Sequence, residues 1–174
     1  MVGSTPEAPT LEEALQHHRP RKVVTVTAAM VRAARDQLTT AGPGRHRLAG
    51  VNLGAPHFSV AEFGELVALL DGRSVHPELE CYVNTSRHVL ARIETLGWLA
   101  ALEAAGVRLV VDTCTYITSI LEHTSGVVMT SSAKWAWYAP GNLGVEVVFG
   151  SLRECVESAV EGRVVRVGAL WESP

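Results

Sequence analysis

Three observations predict a doubly wound α/β domain with a mainly parallel sheet and helices on both faces. Short Val/Leu-rich runs recur at Leu48–Leu53, Leu79–Val83, Val107–Val111, Gly126–Met129 and Val145–Phe149. They are continuous rather than alternating, the pattern of strands buried on both sides. Helical stretches are expected to join each of them to the next, and a strand–helix–strand succession produces a parallel sheet.

Taken in order, Pro6 to Pro9 reads as an extended lead-in, and Thr10 with Glu13 forms a capping-box pattern for a helix reaching about Gln16. Residues 1–21 are therefore read as a lead-in, and 22–174 as a single domain. Val23–Val26 predicts a strand, after which Thr27 caps a helix over Ala28–Leu38. Two glycines and a proline make 39–47 a loop. After Leu48–Leu53, the turn at Gly54-Ala55-Pro56-His57-Phe58 leads to a second capping box, Ser59 with Glu62, and a helix to Leu70 stopped by Asp71-Gly72-Arg73. Leu79–Val83 leads into a helix from about Ser86 to Ala104, interrupted at Gly97 and ended by Gly106 in the left-handed stop position. Val107–Val111 ends in Asp112-Thr113-Cys114. Gly126–Met129 is followed by Thr130-Ser131-Ser132-Ala133-Lys134 and a short helix carrying Trp135, Trp137 and Tyr138. After Val145–Phe149, Ser151 and Glu154 form a third capping box for a helix over Leu152–Val160, and Val164–Val167 is expected to add an edge strand.

Bulk properties exclude several classes of function. In 174 residues, 47% are hydrophobic and 19% charged, the balance of a chain with a buried core rather than a disordered one. A net charge of −3 and a pI near 6.2 supply no basic face for nucleic acid or acidic lipid. No apolar run reaches the roughly 20 residues of a membrane span, and no signal segment is visible in Met1–Pro20, so a cytoplasmic location is expected. Cys81, Cys114 and Cys155 are odd in number and widely spaced, which argues for free thiols or metal ligands rather than a disulfide framework.

In an open parallel sheet, ligands bind outside the carboxyl ends of the strands, where helix N-termini offer free N–H donors. The polar residues of this sequence gather at those ends: His57, Asn84-Thr85-Ser86, Asp112-Thr113-Cys114, Ser131-Ser132-Lys134, and Ser151 with Cys155. Each has a plainer reading. His57 can serve the turn alone, Asn84 and Thr85 can cap a helix, and all three cysteines can be small buried hydrophobes. Lys134 stands out, because a cation in the first helical turn opposes the helix dipole unless an anion lies between. Cys114 belongs to a strand-end loop that reagents can reach. Cys155 falls in a first helical turn, which favours thiolate. No phosphate-binding loop, dinucleotide fingerprint, paired-cysteine zinc spacing or nucleophile elbow is present.

Four motifs occur together in order: Gly54-Ala55-Pro56-His57-Phe58-Ser59, Asp112-Thr113-Cys114, Ser132-Ala133-Lys134 with Tyr138-Ala139-Pro140, and Gly150-Ser151-Leu152-Arg153-Glu154-Cys155. In this the chain resembles, from about Pro6 to Gly162, the C-terminal part of the large (catalytic) subunit of aconitase X. The resemblance implies a hydro-lyase dehydrating a small hydroxy acid, of the cis-3-hydroxyproline or phosphomevalonate kind, with an iron–sulfur cluster. It assigns Cys114 and Cys155 as cluster ligands, Lys134 with Ser132 to the substrate's anionic group, and His57 to the same pocket as a catalytic group. Ser131, Asn84 and Thr85 extend the expected substrate rim, and Cys81 matches no motif of the family. The family's N-terminal part and small swivelling domain have no counterpart here, so complementary aconitase X chains are the expected partners. The alternatives are a non-catalytic carboxylate- or phosphate-binding or scaffold subunit, and a lyase with no metal or one metal ion built on His57 and Cys114.

Overall fold

A computed structural model describes every residue except 1, 5, 45, 46, 119, 122–125, 169, 170 and 172–174. Among the described residues it contains five strands: β1 (Gly50–Leu53), β2 (Glu80–Thr85), β3 (Val107–Val111), β4 (Val127–Thr130) and β5 (Glu146–Phe149). Seven helices accompany them: α1 (Leu11–Ala14), α2 (Ala28–Leu38), α3 (Val60–Leu70), α4 (Arg87–Thr95), α5 (Trp98–Ala104), α6 (Ala133–Leu143) and α7 (Leu152–Glu161). All strand pairs are parallel, in the order β3-β2-β1-β4-β5. The expected α/β class and parallel sheet are what the chain adopts.

Strand alternation sorts the core into two layers. Val51, Leu53, Cys81, Val83 and Met129 face one side, where α3, α4, α5 and α7 contribute Phe63, Leu66, Ile93, Leu102 and Val156. Tyr82, Val110, Val128 and Val147 face the other, covered by α6 through Trp135, Ala136 and Ala139 and by the segment after β3 through Tyr116 and Leu121. Helices on both faces make the sheet doubly wound, and the strand order reverses between β1 and β4.

The helix starts follow the caps read in the sequence. The Thr10, Thr27, Ser59, Ser86, Ser132 and Ser151 side chains each accept a backbone N–H of the first turn. Two reciprocal capping boxes form, Ser59–Glu62 and Ser151–Glu154. Gly97, at φ 74, breaks the long second-unit helix into α4 and α5. Gly54 cannot be replaced without movement, because a Cβ there would strike the Asn84 carbonyl oxygen at a φ of +74.

The helix expected between each strand and the next is missing among the described residues between β3 and β4, where a loop through Thr115 and Tyr116 covers the sheet instead, and two expected strands do not form. Val23–Val26 joins no strand, and the edge of β5 is already taken by the segment after α2. There the Thr40 and Ala41 amides both donate to the Val147 carbonyl. The Thr40 and Thr39 hydroxyls accept the Val147 and Phe149 amides. Val164–Val167 is drawn onto α7 instead: the Val165 amide donates to Ser158 Oγ at 2.8 Å and the Val167 amide to Glu154 Oε1 at 3.0 Å. Only Arg163 bridges, antiparallel, to Arg47. The loop expected over 39–47 includes 45 and 46, outside the described residues.

Candidate functional site

The reversal between β1 and β4 leaves a crevice where successive loops turn to opposite faces of the sheet. The loop after β1 brings Pro56 and His57 there; Ala55–Pro56 is a cis peptide. The loop after β4 brings Ser131 and Ser132, and the first turn of α6 brings Lys134. These groups line one cleft of about 370 Å³, together with Gly54, Phe58 and Glu62. An adjoining cleft of about 360 Å³ shares Pro56, His57 and Lys134 and adds Asp112, Thr113, Cys114, Tyr116 and Ile117. His57, Lys134 and Cys114, drawn from three strand ends, thus border one continuous depression. Two further clefts lie away from it: one by His76, Glu103 and Arg108, the other by Val67, Arg73 and Ala101.

Hydrogen bonds hold this rim in shape. Ser132 Oγ donates to the Ala55 carbonyl while accepting the Trp135 amide, so one hydroxyl ties the β4 loop to the β1 loop and caps α6. The Ser132 amide in turn donates to Thr130 Oγ1. Asp112, in the left-handed region at φ 57, accepts the Arg87 amide at 3.0 Å and also the Arg87 guanidinium, joining the end of β3 to the start of α4. The Arg87 amide and then its guanidinium hold the Asp112 carboxyl below the usual carboxylate range, helped by His57 nearby.

Asn84 and Thr85 do not reach the cleft. Both are fully buried. Asn84 Nδ2 donates to Asn52 Oδ1 and to the Leu53 carbonyl, and Asn84 Oδ1 accepts the Thr115 amide. Thr85 Oγ1 donates to the Phe58 carbonyl. These contacts fasten the loops after β1 and β3 from below. Sequence reasoning missed Asn52 and Thr115, the other members of this network. Thr115 Oγ1 donates to Asn52 Oδ1 at 2.7 Å and accepts Trp135 Nε1 at 2.9 Å, which links β1 and β2 to α6. The available signal was an asparagine inside the apolar run Val51-Asn52-Leu53, a residue disfavoured in strands unless bonded there.

The expected metal ligands part company. Cys114 is half-buried beside the α6 layer and lines the cleft. Cys155 has no exposure and sits in the opposite layer with Val51 and Cys81, so the sheet stands between the two thiols. Helix α7 turns Cys155 inward because its other face carries the polar residues of an amphipathic helix. Burial pushes the Cys155 thiol well above its ordinary value, with Glu154 and Cys81 adding to the effect, the reverse of what the helix position alone suggested. Burial also pushes the Cys81 thiol up to about 12. Among the described residues, no three His, Cys, Asp or Glu side chains converge to hold a metal ion. The donor set therefore does not fit an iron–sulfur cluster held by this chain alone. No helix among the described residues is long and apolar enough to cross a membrane.

Comparison with known proteins gives this geometry its context. The cis-3-hydroxy-L-proline dehydratase of Pseudomonas aeruginosa is 44% identical over 165 residues, which are 94% of this chain and 28% of the relative. The protein of the same name from Hypocrea jecorina is 32% identical, covering 93% of this chain and 27% of the relative. The phosphomevalonate dehydratase large subunit of Methanosarcina mazei is 30% identical over 68% of this chain and 28% of its own length. The chain thus spans little more than a quarter of these relatives. Among solved structures, the holo-form of Thermococcus kodakaraensis aconitase X superposes with a TM-score of 0.63 at 22% identity, covering 78% of this chain and 34% of that one, a likeness of fold. The family model for the aconitase X third domain matches residues 48–161, the stretch that holds all five strands and the whole rim. The chain belongs to the aconitase X family, and the part of that family it matches is the third domain.

Proposed function

We propose that this chain supplies one wall of the active site of an aconitase-X-type hydro-lyase, which dehydrates a small hydroxy acid of the cis-3-hydroxyproline or phosphomevalonate kind. The observation that carries the proposal is the meeting of His57, Lys134 and Cys114 at the crevice between β1 and β4. In this reading Lys134 holds the substrate's carboxylate or phosphate against the free N–H groups of α6. Ser131, whose hydroxyl has no partner among the described residues, adds a hydrogen bond to the same anion. Ser132 positions this wall through its bonds to Ala55 and Trp135, and Asn84 and Thr85 do so from beneath. His57 exchanges a proton with the substrate's reacting end. The iron–sulfur cluster proposed for the assembled enzyme would supply a Lewis acid at the departing hydroxyl. Cys114 is the thiol this wall can offer to such a cluster, while the burial of Cys155 supports a role in packing. Complementary aconitase X parts, carrying the remaining ligands and the swivelling domain, complete the enzyme, and residues 22–174 act within it as one domain.

A second reading is favoured by the lack of three converging metal ligands among the described residues. It makes the chain a non-catalytic carboxylate- or phosphate-binding or scaffold subunit. The deciding experiment grafts residues 1–174 into the Pseudomonas relative in place of the matching stretch and measures iron, sulfide and turnover of cis-3-hydroxy-L-proline. Lys134→Ala in that protein should keep the iron and weaken substrate binding about ten- to a hundredfold, the loss of one charge-assisted contact of ~1.5–3 kcal/mol. Cys114→Ala should lower the iron content and abolish turnover. Full iron and turnover in both variants would leave the binding-subunit reading standing.

A further inference from the structure

Five of the large exposed hydrophobic side chains fall within nine residues: Val23 (78% exposed), Val24 (53%), Val26 (71%), Met30 (45%) and Val31 (46%). The first three occupy a stretch outside any strand or helix, and among the described residues no backbone group of 22–26 is hydrogen-bonded. The other two lie in the first turns of α2, a helix that buries no residue. This is no frayed end, because the root of the segment is fixed. The Arg32 guanidinium donates to the Trp171 carbonyl at 2.7 Å, and Arg35 lies 4.8 Å over the Trp171 ring. Beyond α2, Thr39 to Ala41 is bonded along β5. An anchored, β-branched, unpaired segment of this composition has both strand propensity and apolar surface with nothing here to satisfy either.

The comparisons identify what can cover it. The family's third-domain model starts at Leu48 and leaves this segment out. Alignments covering 94% and 93% of the chain leave out too few residues to begin after Lys22, so both dehydratase relatives carry a counterpart of the segment. Those relatives also carry nearly three quarters of their length outside the aligned part. We infer that Val23–Val31 is a docking strap by which this domain seats on the part of the aconitase X fold outside its third domain, with Val23–Val26 added to a free sheet edge and Met30 and Val31 filling an apolar groove beside it. The inference rests on the family role proposed above, and one set of measurements separates the two.

Hydrogen exchange of residues 22–31 is followed in the isolated chain and in the graft into the Pseudomonas relative. Residues 22–26, which lie before the α2 cap, should exchange freely in the isolated chain, and Val24→Asp with Val26→Asp should leave the chain's thermal midpoint unchanged, since both side chains are at least half exposed to water. In the graft the same amides should slow by about tenfold or more, and the double substitution should remove that protection. A folded graft with an unprotected strap overturns the inference. So does a dimer of the isolated chain that the double substitution dissolves, because the occupant would then be a second copy. A protected strap in a graft that neither binds iron nor turns over substrate supports docking and refutes the dehydratase reading.

Discussion

The hydroxyl proton of Ser132 goes to the Ala55 carbonyl, whereas the neighbouring Ser131 hydroxyl has no hydrogen bond to the described residues. Identical chemistry in neighbouring residues thus divides into a hydroxyl that ties two loops together and one left open at the cleft, a division that a run of Ser-Ser in a sequence does not show. The cysteines divide for a similar reason. Cys114 belongs to a loop that opens on the cleft, whereas Cys81 and Cys155 have their thiols in one dry layer. A water-soluble disulfide reagent should label Cys114 alone in the native chain and all three after unfolding. Cys155→Ala should cost about 1–2 kcal/mol in urea unfolding through the small cavity it leaves. Rapid native labelling of Cys155 would return it to the list of metal ligands. Asp112 gives a pH test. Its carboxyl titrates lower in the folded chain than unfolded, so its contribution is present above the ordinary carboxylate value of about 4 and is lost as pH falls through the lower folded value. Asp112→Asn should be the less stable protein at neutral pH and show a flatter acid limb. Parallel pH–stability curves for the two proteins would dismiss the Arg87 contact as an energetic link.

At the scale of elements, most boundaries were legible because they depend on local chemistry. The cap of each helix named from the sequence accepts its first-turn amide, and Gly97 breaks the helix where the sequence placed the interruption. Val23–Val26 and Val164–Val167 were misread because pairing depends on who reaches an edge first. Thr39 to Ala41 occupies β5, and the Ser158 and Glu154 side chains take the later amides. The buried Asn52–Asn84–Thr115–Trp135 network was illegible for a related reason: it joins residues from four elements far apart in sequence. Thr115→Val keeps the volume but leaves Trp135 Nε1 without its acceptor and takes from Asn52 Oδ1 its hydroxyl donor. It should destabilise the chain by about 1–3 kcal/mol. It should also loosen the loop bearing Cys114, seen as faster labelling of that thiol. An unchanged unfolding midpoint would mean that water substitutes freely and that the network does not fix the rim.

For the molecule as a whole, the sequence disclosed the sheet, its winding and the edge at which His57, Lys134 and Cys114 gather. Cys155 shows where that reading ran out. A first-turn position announces a dipole, but only the packed sheet reveals which way the side chain turns. The domain has an open rim at the strand ends and, apart from the rim's own residues, an anchored apolar segment at Val23–Val31. β1 also takes a neighbour, β4, from beyond the whole β2–β3 unit. That pairing is the most distant in the sheet, and the crevice exists only once it is made. In kinetic terms, β1, β2 and β3 can assemble through successive short crossovers, while registering β4 on β1 must await closure of a long loop. The anion binding proposed for Lys134 should therefore appear last in refolding, after most of the far-ultraviolet dichroism has returned, and an anion held there should slow exchange across β1 and β4 together. A chain that stalls before this step would carry native helices and no site at all.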